Sequence, residues 1–160
     1  MATKADFTAE QWQSLVQAPM AIGALITMAS PAIGDALKES MAVAKQIAEA
    51  AQASGNSELM TAMTNEFKDR ASAKEAQVKP EGRDPTAIKA QMLGIVQNAA
   101  AAIDAKASPE EAGQVKNWLY GLGEAAANAA KEGDFMGIGG EKVSADEEAA
   151  LAELKGALGI

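Results

Sequence analysis

The amino-acid sequence predicts an all-α protein, a compact bundle of about six to seven helices without a sheet. About a quarter of the 160 residues are alanine, the residue with the highest helix propensity. Residues that suit a helix N-cap recur before apolar stretches. No segment alternates apolar and polar residues with the period of two that is typical of a strand. The length and an apolar fraction of 48% suit a single helical domain, residues 1–160.

The first helix is predicted to begin near residue 9. Thr8 and Gln11 have the spacing of a capping box, and Phe7 and Trp12 occupy the positions of a hydrophobic staple. These two signals together fix the direction in which the chain enters the helix.

Pro19 predicts the start of a second helix, because proline suits the first position of a helix. Residues 20–29 that follow are nearly all apolar, but they are about half as long as the ~20 residues that a membrane span needs. We therefore expect a buried helix. The sequence leaves open whether it lies in the core or in a dimer interface.

A third helix is predicted after Ser30 and Pro31, with Gly55 at its end. One stripe at helical spacing is predicted to be its core face: Leu37, Met41, Ala44, Ala48 and Ala51.

A fourth helix is predicted after Asn56 or Ser57, either of which suits an N-cap. Its core residues are expected to be Leu59, Met63 and Phe67. Residues 71–84 then contain Pro80 and Gly82 and few large apolar side chains, so this range is predicted to be a hinge or long loop.

The last three helices carry clear start signals. Asp84 with Pro85 begins the fifth, and Ser108, Pro109 and Glu111 combine a capping box with a first-position proline for the sixth, which is expected to stop near Gly133. Ser144 and Glu147 form the capping box of the last helix. The predicted core faces are Ile88, Met92, Ile95, Val96, Ala99 and Ile103 in the fifth, Val115, Trp118, Leu119, Leu122 and Ala126 in the sixth, and Leu151, Leu154 and Leu158 in the last.

The composition excludes several kinds of chemistry. Without cysteine or histidine, the chain offers no zinc site of the usual ligands, no Ser-His-Asp or Cys-His nucleophile and no disulfide. Its 14 basic against 22 acidic residues and net charge of −8 argue against nucleic-acid binding, which requires a basic face. No spacing of carboxylates indicates a metal or a catalytic pair, so we expect neither an enzyme nor a cofactor.

The glycine-rich stretch over residues 133–144 is the best candidate for a binding loop. Backbone amides at Gly137, Gly139 and Gly140, with Ser144 at the start of the last helix, would suit an anion or phosphate ligand. The spacing does not match a P-loop or a dinucleotide fingerprint. The alternative interpretation is a tight connection whose apolar side chains close the end of the bundle.

A second candidate lies on the sixth helix. Trp118 and Tyr120, with Gly121 and Gly123 beside them, would leave room for a flat apolar ligand. The alternative is that Trp118 belongs to the core and the glycines accept a crossing helix, while Tyr120 lies on the other side of the helix.

Two stretches carry a resemblance to a known family. Residues 7–12 (FTAEQW), continuing to Pro19, and residues 131–144, followed by Glu147, resemble a family of uncharacterised small bacterial all-helical proteins with a GxFxGxGGxxVSxxE-type signature. The resemblance covers most of the chain. It implies a bacterial, cytoplasmic protein and carries over no catalytic residue.

Three functions are compatible with the sequence. The first is a non-enzymatic binding or scaffold protein of the cytoplasm, self-associating through the Ala- and Gly-rich faces of the second, third and sixth helices, or binding another protein. It predicts an exposed apolar face and no enclosed pocket. The second is a carrier of an apolar small molecule held among methionines, Trp118 and glycines. The third is anion binding at residues 133–144.

Overall fold

The computed structural model describes residues 1–30, 36–129 and 143–160, and no strand occurs within these ranges. A short 3₁₀ helix (Lys4–Asp6) comes first. The α-helices of the described residues are α1 (Ala9–Ala29), α2 (Ala36–Ala50), α3 (Glu58–Glu66), α4 (Arg70–Glu75), α5 (Pro85–Lys106), α6 (Pro109–Ala129) and α7 (Ala145–Leu158). The predicted all-α fold is confirmed.

Helix α1 is the centre of the bundle. It packs mainly against α5 and also contacts α2, α6 and α7. Ile22, Leu25 and Ile26 are at most 1% exposed, and burial of each such side chain contributes about 1.5–3 kcal/mol to stability. One side of residues 20–29 therefore belongs to the core of the chain, whereas Met28 on another side is 40% exposed.

The two helices predicted on either side of Pro19 form the single helix α1, and that prediction was wrong. A proline inside a helix removes one backbone hydrogen bond and costs about 3 kcal/mol. Here Pro19 is itself buried, and apolar side chains before and after it pack into the same core. The packing energy exceeds the cost of the proline, so the helix continues.

The predicted capping signals of α1 are confirmed. The backbone nitrogen of Gln11 donates to Thr8 Oγ1 over 3.2 Å, and the nitrogen of Thr8 donates to Gln11 Oε1 over 3.0 Å. The rings of Phe7 and Trp12 lie 5.9 Å apart between centroids. The N-cap at Ser57 and the capping box of Ser144 and Glu147 also form as predicted.

Helix α2 is rotated about its axis relative to the prediction. Leu37 and Met41, predicted to be core, are 71% and 63% exposed. Val43, Ile47, Ala50 and the carboxylate residue Glu39 face inward instead. A built Cβ on Gly23 of α1 would lie 3.4 Å from Val43 Cγ2, so this glycine allows the larger, β-branched face of α2 to pack closely.

Residues 71–84 are only partly a loop, which corrects the predicted hinge. Helix α4 covers their beginning because Asp69 accepts hydrogen bonds from the backbone nitrogens of Ala71 (3.1 Å) and Ser72 (3.0 Å). The cap lies just outside the predicted range. Residues 76–84 contain no helix.

Helix α6 begins at Pro109 as predicted, but Glu111 acts differently from a capping-box residue. Its backbone nitrogen donates to Ser108 Oγ over 3.3 Å. Its buried carboxylate accepts from the backbone nitrogens of Ala2 (2.8 Å) and Leu59 (3.2 Å). One carboxylate thus joins the N-terminal residues, α3 and α6. The predicted end of this helix near Gly133 lies outside the described residues.

The predicted core faces of α5, α6 and α7 are largely confirmed. Val96, Ile103, Leu119, Leu122 and Leu154 are completely buried, whereas Ile88, Ile95, Trp118 and Leu151 are half-buried. Within the described ranges, no helix combines the length and the apolar character needed to cross a bilayer.

Candidate functional site

The outer face of α2 carries a continuous apolar stripe, which we call the α2 seam. It consists of Leu37, Met41, Ala44 and Ala48, all of them exposed. Successive members are separated by four, three and four residues, so all four lie on one side of the helix. Around the helix axis this side is roughly 110° away from the buried residues Val43 and Ile47. The arrangement leaves α2 apolar on two different sides.

The flank of the α2 seam is polar and carries lysine. Lys38 and Lys45 follow Leu37 and Ala44 on the same edge of the helix. Lys45 Nζ lies 3.8 Å from Glu49 Oε1, and both side chains are more than half exposed. Such an exposed pair contributes little to stability, so Lys45 keeps the freedom to contact another charge.

The inner side of α2 contains the most unusual polar group of the described residues. Glu39 is 0% exposed, and neither of its carboxylate oxygens has a hydrogen-bond partner within the part of the chain that the structure describes. Burial of a carboxylate without partners is unfavourable. The inward position of Glu39 and the outward position of Leu37 are consequences of the same rotation of the helix.

An apolar groove lies on the opposite side of α1 from the bulk of the core. It has a volume of about 630 Å³ and lies between α1, α2, the start of α5 and the irregular residues before α5. Its described lining residues are Met20, Gly23, Ala24, Thr27, Met28, Ser40, Val43, Val78, Pro80, Pro85, Ile88 and Met92. The groove is open to solvent, not enclosed.

Only part of the predicted anion site lies within the described residues. Gly137, Gly139 and Gly140 lie outside the described residues. Ser144 is the N-cap of α7: its hydroxyl accepts from the nitrogen of Glu147 over 3.2 Å, and its own nitrogen donates to Glu147 Oε2 over 2.9 Å. The first turn of α7 therefore satisfies its cap with its own side chains and adds three carboxylates, at positions 146–148.

Trp118 and Tyr120 lie on different sides of α6. They lie two residues apart on α6, about 200° around the helix axis. Trp118 is half-buried against the core, and its indole nitrogen is buried without a partner in the described ranges. Tyr120 lies under Lys155 of α7, with the ammonium 5.9 Å from the ring centroid. Their role in ligand binding stays a prediction.

The neighbouring glycines accept a crossing helix in one case. A Cβ on Gly123 would lie 2.6 Å from Leu154 Cδ2 and 3.2 Å from Leu151 Cδ2, because α7 crosses α6 at this point. A Cβ on Gly121 would meet no atom within 4 Å. The space beside Gly123 is therefore occupied by leucine side chains.

The best-connected polar group lies at the start of the bundle. Lys4 Nζ is 2.7 Å from Glu66 Oε1, and Trp12 Nε1 donates to the same oxygen over 3.2 Å. Burial acts to raise the pKa of Glu66, but hydrogen bonds from Lys4, Ser72 and Trp12 and the charge of Lys4 outweigh it and hold the pKa below its ordinary value of 4.5. This group ties α1 to α3.

Within the described ranges, no three acidic side chains lie close enough together to hold a metal ion. The comparison with known proteins adds no candidate chemistry. No family model matches the chain, and neither a curated protein nor a solved structure is detectably similar to it. Function must therefore be argued from the α2 seam and the groove.

Sequence reasoning found the residues of the α2 seam but assigned them to the core. The signal that was missed is the second apolar series on the same helix, at positions 43, 47 and 50. Two apolar series on different sides of one helix indicate that one of them faces away from the fold.

Proposed function

We propose that this chain is a non-enzymatic binding protein that docks an amphipathic helix of a partner protein on the α2 seam. The observation that carries the proposal is the exposure of Leu37 and Met41, 71% and 63%, on a helix whose Val43 and Ile47 are buried in the bundle. Burial of a leucine or methionine side chain contributes about 1.5–3 kcal/mol. A partner that covers this face gains that contribution without any change in the bundle.

The spacing of the α2 seam fits a helix better than a strand or a loop. Alternating steps of four and three residues form the seam of a helix pair, where side chains of one helix insert between those of the other. From Leu37 to Ala48 the seam is about 17 Å long at ~1.5 Å per residue. The small side chains of Ala44 and Ala48 allow the partner backbone to approach closely.

The chemistry of the flank favours a partner helix with acidic residues over a second copy of this chain. In an antiparallel pair of two copies, the flank of one α2 that carries Lys45 faces the same flank of the other. A seam with only two large side chains also falls short of the ~800 Å² per partner that stable complexes bury. We therefore expect a transient complex with glutamate or aspartate beside its apolar residues.

A designed peptide tests this proposal directly. The probe is a synthetic helix as long as α2, with leucine and alanine at the spacing of the α2 seam and glutamate on both flanks; its twin carries lysine on the flanks. With ¹³C-methyl-methionine labelling, the Met41 methyl signal should shift on addition of the acidic peptide, whereas that of Met63, which is 0% exposed, should not.

The variant Met41→Glu lacks the reporting methyl group, so its binding is measured by the fluorescence anisotropy of a dye-labelled acidic peptide. It should be at least tenfold weaker, which is about 1.4 kcal/mol. The matched control Gln97→Glu, on the exposed side of α5, should bind like the wild type. Equal binding of both peptides, or of neither, would contradict the proposal. A dimer in sedimentation equilibrium that Leu37→Glu dissociates would replace the partner helix by a second copy.

The setting of this proposal is the bacterial cytoplasm. It rests on the resemblance of residues 7–19 and 131–147 to the bacterial family.

A further inference from the structure

The groove beside α1 differs from the rest of the surface in its lining. In a chain with 22% charged residues, none of the described lining residues carries a charge, and most are aliphatic or methionine. A charged ligand group that lies against this lining would lose part of its hydration without meeting an opposite charge. The groove therefore selects against ions of either sign.

Small residues of α1 and two prolines shape the walls of the groove. Gly23 and Ala24 of α1 have small side chains. Val43 of α2 packs beside Gly23, and a Cβ built on Gly23 would lie 3.4 Å from Val43 Cγ2. The segment that passes over the other side contains Pro80 and Pro85, whose fixed backbone geometry limits how it folds inward. The result is a channel, about 12 Å long from Met20 to Met28 at ~1.5 Å per residue.

The two polar lining residues lie at one end of the groove. α1 and α2 are consecutive helices that meet at Gly23 and Val43. Thr27 is one turn after Gly23 and Ser40 is about one turn before Val43, so both lie toward the α1–α2 connection. The Ser40 hydroxyl donates to the carbonyl of Ala36 over 2.7 Å and keeps lone pairs that accept from a ligand hydroxyl.

Methionines form much of the remaining wall. Met20 and Met28 of α1 and Met92 of α5 all line the groove. Methionine side chains are unbranched and adapt to ligands of different outline. A volume of about 630 Å³ is also within the range of small-molecule sites, which is roughly 300–1,000 Å³.

From these features we infer that the groove binds an uncharged, elongated apolar molecule with one hydroxyl end, of the long-chain alcohol type. The alkyl chain lies along α1 between Met20, Met28 and Met92, and the hydroxyl meets Thr27 and Ser40. This site does not depend on the α2 seam: the seam faces outward from α2, whereas the groove lies between helices. It gives the chain a small-molecule ligand in addition to a protein partner.

The test uses decanol as the probe and the eight methionine methyl groups of the full chain as reporters. With ¹³C-methyl-methionine labelling, decanol should shift the signals of Met20, Met28 and Met92, while Met60 and Met63 of α3, away from the groove, should stay in place. Decanoate, which has the same chain with a charged end, should bind at least tenfold more weakly. Equal affinity for decanoate would overturn the inferred exclusion of charge.

A groove-filling variant makes the assignment specific. Ala24→Leu adds an aliphatic side chain inside the groove and keeps high helix propensity, so decanol affinity should fall at least tenfold. The matched control Ala101→Leu, on the exposed side of α5, should bind like the wild type. Unchanged affinity in Ala24→Leu would overturn the inference.

The wild-type pattern alone decides the question if the variant does not fold. Decanol shifts confined to Met41 would assign the binding to the α2 seam, and shifts spread over Met1, Met28 and Met41 alike would indicate adhesion to exposed side chains. Either pattern, or no shift up to the solubility of decanol, would overturn the inference.

Discussion

Residues 20–29 of α1 and residues 36–50 of α2 are neighbours in the chain, both rich in apolar side chains, and they have opposite fates. Ile22 and Ile26 of α1 are completely buried because α5, α6 and α7 surround that helix. On α2, Leu37 and Met41 face solvent while Glu39 is buried. The difference teaches that an apolar series on a helix identifies a face that needs a partner, without saying whether that partner belongs to the same chain.

The geometry of the bundle explains which face of α2 turns inward. Val43 fits against Gly23, where no side chain intervenes, and Ile47 continues the same side. The C-terminal half of the α2 seam consists of Ala44 and Ala48, whose burial contributes less to stability than that of valine and isoleucine. The larger side chains of the second half of α2 decide the rotation, and Leu37, Met41 and Glu39 in the first half must follow.

The largest effect is expected from placing a charge on each of the two helices. Ile26→Glu buries a carboxylate among apolar side chains and should abolish the cooperative thermal transition, because the cost exceeds about 4 kcal/mol. Leu37→Glu should remain folded, with a free energy of unfolding within about 0.5 kcal/mol of the wild type. Circular dichroism during heating measures both. A folded Ile26→Glu protein would break the comparison.

Glu39 gives the next test, with the opposite sign. Replacement of a buried, unpartnered carboxylate by an apolar side chain of similar volume removes its desolvation cost. Glu39→Leu should therefore raise the free energy of unfolding by about 1–3 kcal/mol, measured by urea titration. The exposed Glu49→Leu is the control and should change it by less than about 0.5 kcal/mol. A loss of stability in Glu39→Leu would show that the carboxylate has a stabilising partner.

The crossing of α6 and α7 is a further test of tight inner packing. Gly123→Ala places a Cβ 2.6 Å from Leu154 Cδ2, so the leucine must move, and overpacking of this kind costs about 1–3 kcal/mol. Gly113→Ala, on the same helix with no atom within 4 Å of the new Cβ, should instead stabilise by up to about 1 kcal/mol. Chemical denaturation of the two variants should give opposite signs; equal signs would contradict the packing described for Gly123.

The smallest effect is expected at Glu66, whose carboxylate joins the start of α1 to α3. The α2 seam carries no such polar contact in the part of the chain that the structure describes. Because the pKa of Glu66 is lowered below 4.5 in the folded chain, its contribution is fully present above about that pH. It is lost as the pH falls through the lowered pKa. Glu66→Gln should cost about 1 kcal/mol at pH 7.

This difference between wild type and Glu66→Gln should shrink below pH 4.5. Asp6 and Asp69, whose pKa values are lowered by hydrogen bonds from Thr3 and Ser72, are common to both proteins. Their contributions therefore cancel in the difference in unfolding free energy between the two proteins. Urea titrations from about pH 3 to pH 7, a window that spans the ordinary carboxyl pKa values, would measure this difference. A difference that is constant with pH would contradict the assigned role of Glu66.

Local signals in the sequence predicted the local features of the fold. The capping residues Thr8, Ser57 and Ser144 each begin a helix where expected, because a cap is a contact between residues close in the chain. Pro19 and the rotation of α2 were mispredicted because both depend on what other helices supply. The groove was not predicted at its observed place, since it is formed by four segments that only the fold brings together.

The carboxylate of Glu111 has a kinetic consequence. It binds Ala2, 109 residues away, and Leu59, 52 residues away, so these contacts close two very long loops and should form only after the helices have assembled. Glu111→Gln should then accelerate unfolding and leave the refolding rate nearly unchanged. Stopped-flow refolding would show this as a low φ-value. Glu111 would then prolong the lifetime of the native state more than it speeds folding.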